Sequence, residues 1–112
     1  ESRAVDPTCN PHVTAAMYLH AGLDGIEQGM DPGDPINLNM YTEPASTRER
    51  LGVKTLPRTL LEAVEAFAED ELCERALGPD LRQSFIDLKS QEWWEYHNHV
   101  SDWEIKRYLT FF

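Results

Sequence analysis

Residues 59–97 read TLLEAVEAFAEDELCERALGPDLRQSFIDLKSQEWWEYH, and this stretch decides the fold class. Its apolar residues recur at three- and four-residue steps, the spacing of helix faces rather than of strands. Thr59-Leu60-Leu61-Glu62 opens it as a capping box: the Thr hydroxyl takes the N–H three residues on and the Glu side chain reaches back. The helix then runs through Ala63, Val64 and Phe67. A second short helix is expected from Asp70, stopped by Gly78. Pro79 suits the first position of the longest helix, because its missing N–H would have had no partner there. Along that helix Leu81, Phe85, Leu88 and Glu92 mark one stripe and Ile86, Trp93 and Val100 an adjacent one, so burial on two sides is expected.

Toward the C-terminus, Ser101-Asp102-Trp103-Glu104 is a second capping box and starts a final helix carrying Trp103, Tyr108, Leu109 and Phe112 at helical spacing. Trp103, Tyr108 and Phe112 share one face, which is expected to make the largest apolar contacts. Full burial of Trp103 would make its loss worth ~3–5 kcal/mol. In the other direction, Asn10 can cap and Pro11 can open a helix whose Val13, Ala16, Met17, His20, Leu23, Ile26 and Met30 line a face expected to be core. Gly22 and Gly25 inside it each cost ~1 kcal/mol against alanine, which suggests close approach by another segment. Residues 31–57 carry prolines, asparagines and Gly52 without a sustained period, and read as a long ordered or partly mobile loop in which Tyr41 is exposed. From Glu1 the chain moves into Ser2-Arg3-Ala4-Val5-Asp6-Pro7, which reads as a short strand before a turn. A lone strand leaves its backbone groups unpaired, so its partners are expected to precede Glu1. The fold class is therefore mainly α: one N-terminal strand followed by about five helices and a long loop.

Composition bounds the rest. A chain of 112 residues has room for one modest core. Twenty acidic against ten basic side chains give a formal net charge of −10, the wrong sign for gripping phosphate backbones, so nucleic acid is not expected as a partner. No apolar run approaches the ~20 residues needed to span a bilayer, and no secretory leader opens the chain, so it reads as cytoplasmic and not membrane-bound. Cys9 and Cys73 stand in no metal or redox spacing and read as reduced, packed thiols.

No phosphate-binding glycine loop, dinucleotide-binding turn, zinc-binding helix motif or nucleophile elbow is present, so no self-contained active site is visible. His97-Asn98-His99 places its imidazoles on different sides of a helix, which cannot chelate one ion as an i, i+4 pair does. His12 and His20 read as helix-surface or satisfied core residues. Trp93, Trp94, Trp103 and Tyr108 read as core or subunit-contact side chains, with a binding platform as the alternative. Glu1 and Arg3, two apart on a strand, would point to one face and bring a carboxylate beside a guanidinium.

Read in order, Glu1-Ser2-Arg3, Asp6-Pro7-Thr8-Cys9-Asn10-Pro11-His12, Ala21-Gly22-Leu23-Asp24-Gly25-Ile26-Glu27 and Asp31-Pro32-Gly33 resemble the closing part of glutamine synthetases. So do Asn39-Met40-Tyr41, Leu56-Pro57-Arg58-Thr59-Leu60-Leu61-Glu62-Ala63, Lys89 with Glu92-Trp93, and Val100-Ser101-Asp102-Trp103-Glu104 with Arg107-Tyr108-Leu109. Each block is weak alone, but their common order makes coincidence a poor account. The resemblance implies that residues 1–112 are the C-terminal fragment of an α+β catalytic domain. It implies a ligase that phosphorylates glutamate with ATP and lets ammonia displace phosphate from γ-glutamyl phosphate, with Mg²⁺ or Mn²⁺ as cofactor. Glu1 then matches a metal-ligating carboxylate, Arg3 an arginine that binds glutamate, and Tyr41 the tyrosine that some bacterial members carry as an adenylylation target. Around Tyr41 the pattern departs: Met40 replaces the usual leucine, and Thr42-Glu43-Pro44 the familiar Asp-Leu-Pro. The remaining metal ligands and nucleotide contacts would precede Glu1, so the fragment alone is expected to be inactive.

The resemblance further implies a homo-oligomer of stacked rings, with the C-terminal helix at subunit contacts. The tail from Ser101 is similar to a divergent bacterial branch that includes γ-glutamyl polyamine and methylamide synthetases, so the acceptor could be an amine other than ammonia. A reading of another class, a non-enzymatic acidic helical interaction module, rests on the helical pattern after Asn10 and the missing complete site.

Overall fold

The computed structural model describes residues 4–111, which fall in two compact units, residues 1–56 and 57–112. In the first, α1 spans Pro11–Glu27, with Pro11 in its first turn and the Asn10 side chain accepting the N–H groups of His12 and Val13 at 3.0 and 3.4 Å. Those two bonds satisfy donors that have no partner inside the helix. The face expected to be core is covered only at its start. Val13, Ala16, Met17 and His20 are half-buried, whereas Leu23, Ile26 and Met30 stay exposed. A Cβ on Gly22 or Gly25 would meet nothing within 4 Å, so the expected close approach is absent among the described residues. Helical spacing identifies a face; it does not supply the surface that covers it.

Among the described residues there is no strand. The expected opening strand finds no support in Ala4, Val5 and Asp6, and Glu1, Ser2 and Arg3 lie outside the described residues. The local chemistry favours a turn. The Asp6 carboxylate accepts Thr8 N–H at 2.7 Å and the Thr8 hydroxyl at 2.6 Å, while its carbonyl accepts Cys9 N–H at 3.0 Å. A side chain that mimics a turn in this way competes with extended pairing.

The loop expected over residues 31–57 contains a helix of its own, α2, at Ala45–Arg50. At its end Gly52 adopts φ 65°, which lets Val53 N–H reach the Arg48 carbonyl at 2.9 Å and Gly52 N–H the Glu49 carbonyl at 3.1 Å. This pair of bonds closes a helix through a left-handed residue, a role glycine fills without steric cost.

The second unit is built from α3 (Leu60–Glu69), α4 (Glu71–Leu77), α5 (Pro79–His97) and α6 (Asp102–Tyr108), followed by a 3-10 turn at Leu109–Phe111. Thr59 caps α3 through Glu62 N–H at 3.2 Å, but the Glu62 carboxylate reaches back to Arg58 N–H at 2.7 Å rather than to Thr59. Asp70 caps α4. Gly78, at φ 75°, ends α4 by donating to the Glu74 carbonyl at 2.8 Å and leads straight into α5.

Helix α5 packs on α3 and α4, with Phe67 and Phe85 in tilted contact at 5.3 Å between ring centres. Val64 of α3 and Cys73 of α4 are buried. Among the described residues only one side of α5 is covered: Arg82, Phe85, Ile86, Lys89 and Trp93 are half-buried, while Leu81 and Leu88 are exposed, and Val100, expected on the adjacent stripe, lies beyond the end of α5 and is exposed. The two-sided burial expected for α5 is thus not found, because α3 and α4 lie against one face. Among the described elements α6 packs only against the 3-10 turn. Trp103 is 64% exposed and meets Tyr108 edge-on at 6.0 Å, so the ring expected to be buried is largely open. Phe112, its expected neighbour, lies outside the described residues.

Candidate functional site

Of the site residues expected from sequence, Glu1 and Arg3 lie outside the described residues, and the structure describes Tyr41. Tyr41 sits at the tip of a turn rather than in a helix or strand, and its side chain is 100% exposed. Three groups of bonds fix the backbone beneath it. The Asn39 side chain accepts Tyr41 N–H at 3.2 Å, a local contact that short amides make readily. The Asn39 carbonyl accepts both the N–H and the hydroxyl of Thr42 at 3.0 Å. Arg48, in the last turn of α2, donates from Nη1 to the Glu43 carbonyl at 2.8 Å and, at the limit of hydrogen bonding, to the Met40 carbonyl at 3.5 Å. Arg48 was not legible as a site residue, since its acceptors are backbone carbonyls and carry no sequence mark.

A second arginine organises the helical unit. Nη2 of Arg82 bonds the Ala68 carbonyl in the last turn of α3, and Nη1 lies 3.5 Å from the Glu74 carboxylate, while Nε is buried without a partner. A cation at the C-terminal end of a helix meets carbonyls that have no partner within the helix. Beside it, burial pushes the Cys73 thiol above its ordinary value, with the Asp70 carboxylate adding in the same direction. A thiol held protonated is a poor nucleophile, which agrees with the packed role expected for it.

His97 does not stand as a paired ligand with His99. Its ring lies over Trp93 at 3.4 Å between centres, edge-on to Tyr96 at 5.4 Å, and its Nδ1 is 2.9 Å from the Trp93 carbonyl. Among the described residues no group of three or more His, Cys, Asp or Glu side chains could hold a metal ion. No helix among them is long and apolar enough to cross a membrane.

A mainly helical unit with an acidic surface and an aromatic-bearing C-terminal helix fits many proteins, and similarity narrows the class. Residues 1–108 match the family described as glutamine synthetase, catalytic domain. Over 109 residues, 97% of this chain and 22% of the relative, it is 41% identical to a glutamine synthetase of Archaeoglobus fulgidus. It is 43% identical over 112 residues, 100% of this chain and 25% of the relative, to a glutamate–methylamine ligase of Methyloversatilis universalis. A glutamine synthetase of Staphylococcus aureus is 41% identical over 109 residues, 97% of this chain and 24% of the relative. The chain belongs to the glutamine synthetase catalytic-domain family. It spans about a quarter of the length of these curated relatives.

Proposed function

We propose that these residues form the C-terminal section of an ATP-dependent glutamate–amine ligase that works through γ-glutamyl phosphate. The observation that supports this reading most is the match along residues 1–108 together with 41–43% identity to ligases of this family. Activation of the γ-carboxylate by phosphate turns a poor leaving group into a good one, which is why an amine can then form the amide. In this reading Glu1 offers an oxygen ligand to Mg²⁺ or Mn²⁺, and the Arg3 guanidinium binds a carboxylate of glutamate by its fixed fork of donors. The divalent cation neutralises phosphate charge during transfer. The other ligands, the nucleotide pocket and the remaining cationic clamps come from parts of the enzyme outside these 112 residues, so the isolated chain is inactive. The whole enzyme works as a cytoplasmic homo-oligomer.

The acceptor is ammonia in the first reading. An alternative acceptor, methylamine or a polyamine, draws support from the glutamate–methylamine ligase among the relatives. Tyr41 is read as a point of modification, at which AMP passes from ATP to the phenol oxygen, pyrophosphate leaves and the phenol proton goes to solvent. Its full exposure supports access by a modifying enzyme.

The test is full-length enzyme with ATP and glutamate against ammonia, methylamine and polyamines, scored by phosphate release. Glu1→Ala should weaken the metal-dependent rate and Arg3→Ala should chiefly impair glutamate use. Turnover by the 112-residue chain alone, or an unchanged rate and metal dependence in Glu1→Ala, would overturn the corresponding assignment.

A further inference from the structure

We infer that Arg48 is a positioning residue for Tyr41: its guanidinium ties the backbone on both sides of the tyrosine and so sets how the phenol is presented. Tyr41 is fully exposed, so no packing holds its ring, and its place in space depends on the backbone alone. That backbone is fastened from below by Asn39 and from the side by Arg48, whose Nη1 bonds the carbonyls of Met40 and Glu43. These two residues flank Tyr41 and Thr42, so the guanidinium closes the turn like a clasp. The anchor is itself fixed, because Arg48 is half-buried in α2, and the Gly52 turn that ends that helix is bonded to Arg48's own carbonyl.

Bonds from a charged donor are stronger than neutral ones and are directional. Both carbonyls are met by one nitrogen, Nη1, whose two N–H groups are held in the guanidinium plane, whereas a lysine ammonium acts as a point charge. The Arg48 clasp thus differs from general stabilisation: its removal should free one turn and leave the helices of the second unit intact.

The consequence for modification rests on the reading of Tyr41 given above; the clasp itself does not. The experiment uses full-length protein, wild type, Arg48→Ala and Arg48→Lys, under limiting chymotrypsin, with cleavage after Tyr41 followed by mass. Cutting requires the flanking backbone to open, so its rate reports local stability. Arg48→Ala should raise the cutting rate after Tyr41 by roughly tenfold, Arg48→Lys should restore part of the protection, and cutting after Tyr96 and Trp103 should not change. Equal rates for wild type and Arg48→Ala, or a uniform rise at all aromatic sites, would overturn the inference. In parallel, the Tyr41 peptide from nitrogen-rich cells is weighed for AMP. AMP on wild type and less on Arg48→Ala supports the positioning role, and equal AMP on both overturns it. If wild type carries no AMP, the modification reading falls, and the chymotrypsin rates still decide the clasp.

Discussion

Replacing Arg82 separates two accounts of how the helical unit is held. In the first, Arg82 works through its ion pair with Glu74; in the second, through the Ala68 carbonyl at the end of α3. The Glu74 side chain is more than half exposed and its carboxylate is 3.5 Å away, a geometry for which exposed pairs contribute about 0–1 kcal/mol. A hydrogen bond from a charged donor to a carbonyl contributes about 1.5–3 kcal/mol. Against both stands Nε, buried without a partner, whose removal relieves a desolvation penalty of about 1 kcal/mol or more. The carbonyl bond therefore decides the sign. Arg82→Met, which keeps the apolar stem and removes the guanidinium, should destabilise by about 1–2 kcal/mol. Glu74→Gln should change stability by less than about 0.5 kcal/mol. Urea unfolding of both variants measures the difference, and 1 M NaCl should leave the Arg82→Met loss largely intact, because screening acts on the exposed pair. If Glu74→Gln costs as much as Arg82→Met, or salt abolishes the difference, the helix-end account is wrong.

Val64→Ala removes two methyl groups from one of the two apolar positions buried among the described residues and should cost about 2 kcal/mol, read as a lower unfolding midpoint. Trp103→Ala should cost no more than about 1 kcal/mol, since the ring is mostly open and its edge contact with Tyr108 is the main loss; a loss of several kcal/mol would show that another surface covers it. Glu104 has its carboxyl held below the ordinary value by the Ser101 N–H, then by the Ser101 hydroxyl. A lowered folded value means that this contribution to α6 is fully present above roughly pH 4.3, the unfolded value, and fades as pH falls through the folded one. Protection of the Ser101 amide, taken relative to its intrinsic exchange rate, should fall over that acid range in wild type and show no such step in Glu104→Gln.

Helix starts were legible because their signals are local. Asn10, Asp70 and Ser101 each cap with a side chain two or three residues from its donor, and Pro11 and Pro79 stand where a missing N–H does no harm. Helix α2 escaped notice because Ala45–Arg50 is too short for a periodic face to appear, with Pro44 and Asn39 nearby reading as breakers. Its one signal was Gly52, a glycine placed to end a helix rather than to interrupt a loop. Burial was legible least. The apolar steps of α1 and α5 were correctly spaced, yet Ile26 and Leu88 are exposed. Periodicity shows which residues share a face, and coverage depends on what lies against it.

The site shows the same division between local and distant causes. Tyr41 could be placed in a turn because Asn39 and Pro44 bracket it, and the Asn39 side chain does accept the Tyr41 N–H. What holds the turn could not be read, because Arg48 reaches carbonyls five and eight residues back, and every residue has a carbonyl. Arg82 reaches still further, to Ala68, fourteen residues away. A capping box announces both partners by residue type; an arginine on a backbone carbonyl announces only one. Such bonds form where a chain end or turn leaves a carbonyl unpaired and a long cationic side chain passes within reach. Both arginines meet that condition, one at the last turn of α3 and one beside the turn of Tyr41. That is why two cations in an acidic chain, neither in any motif, carry so much of its local order.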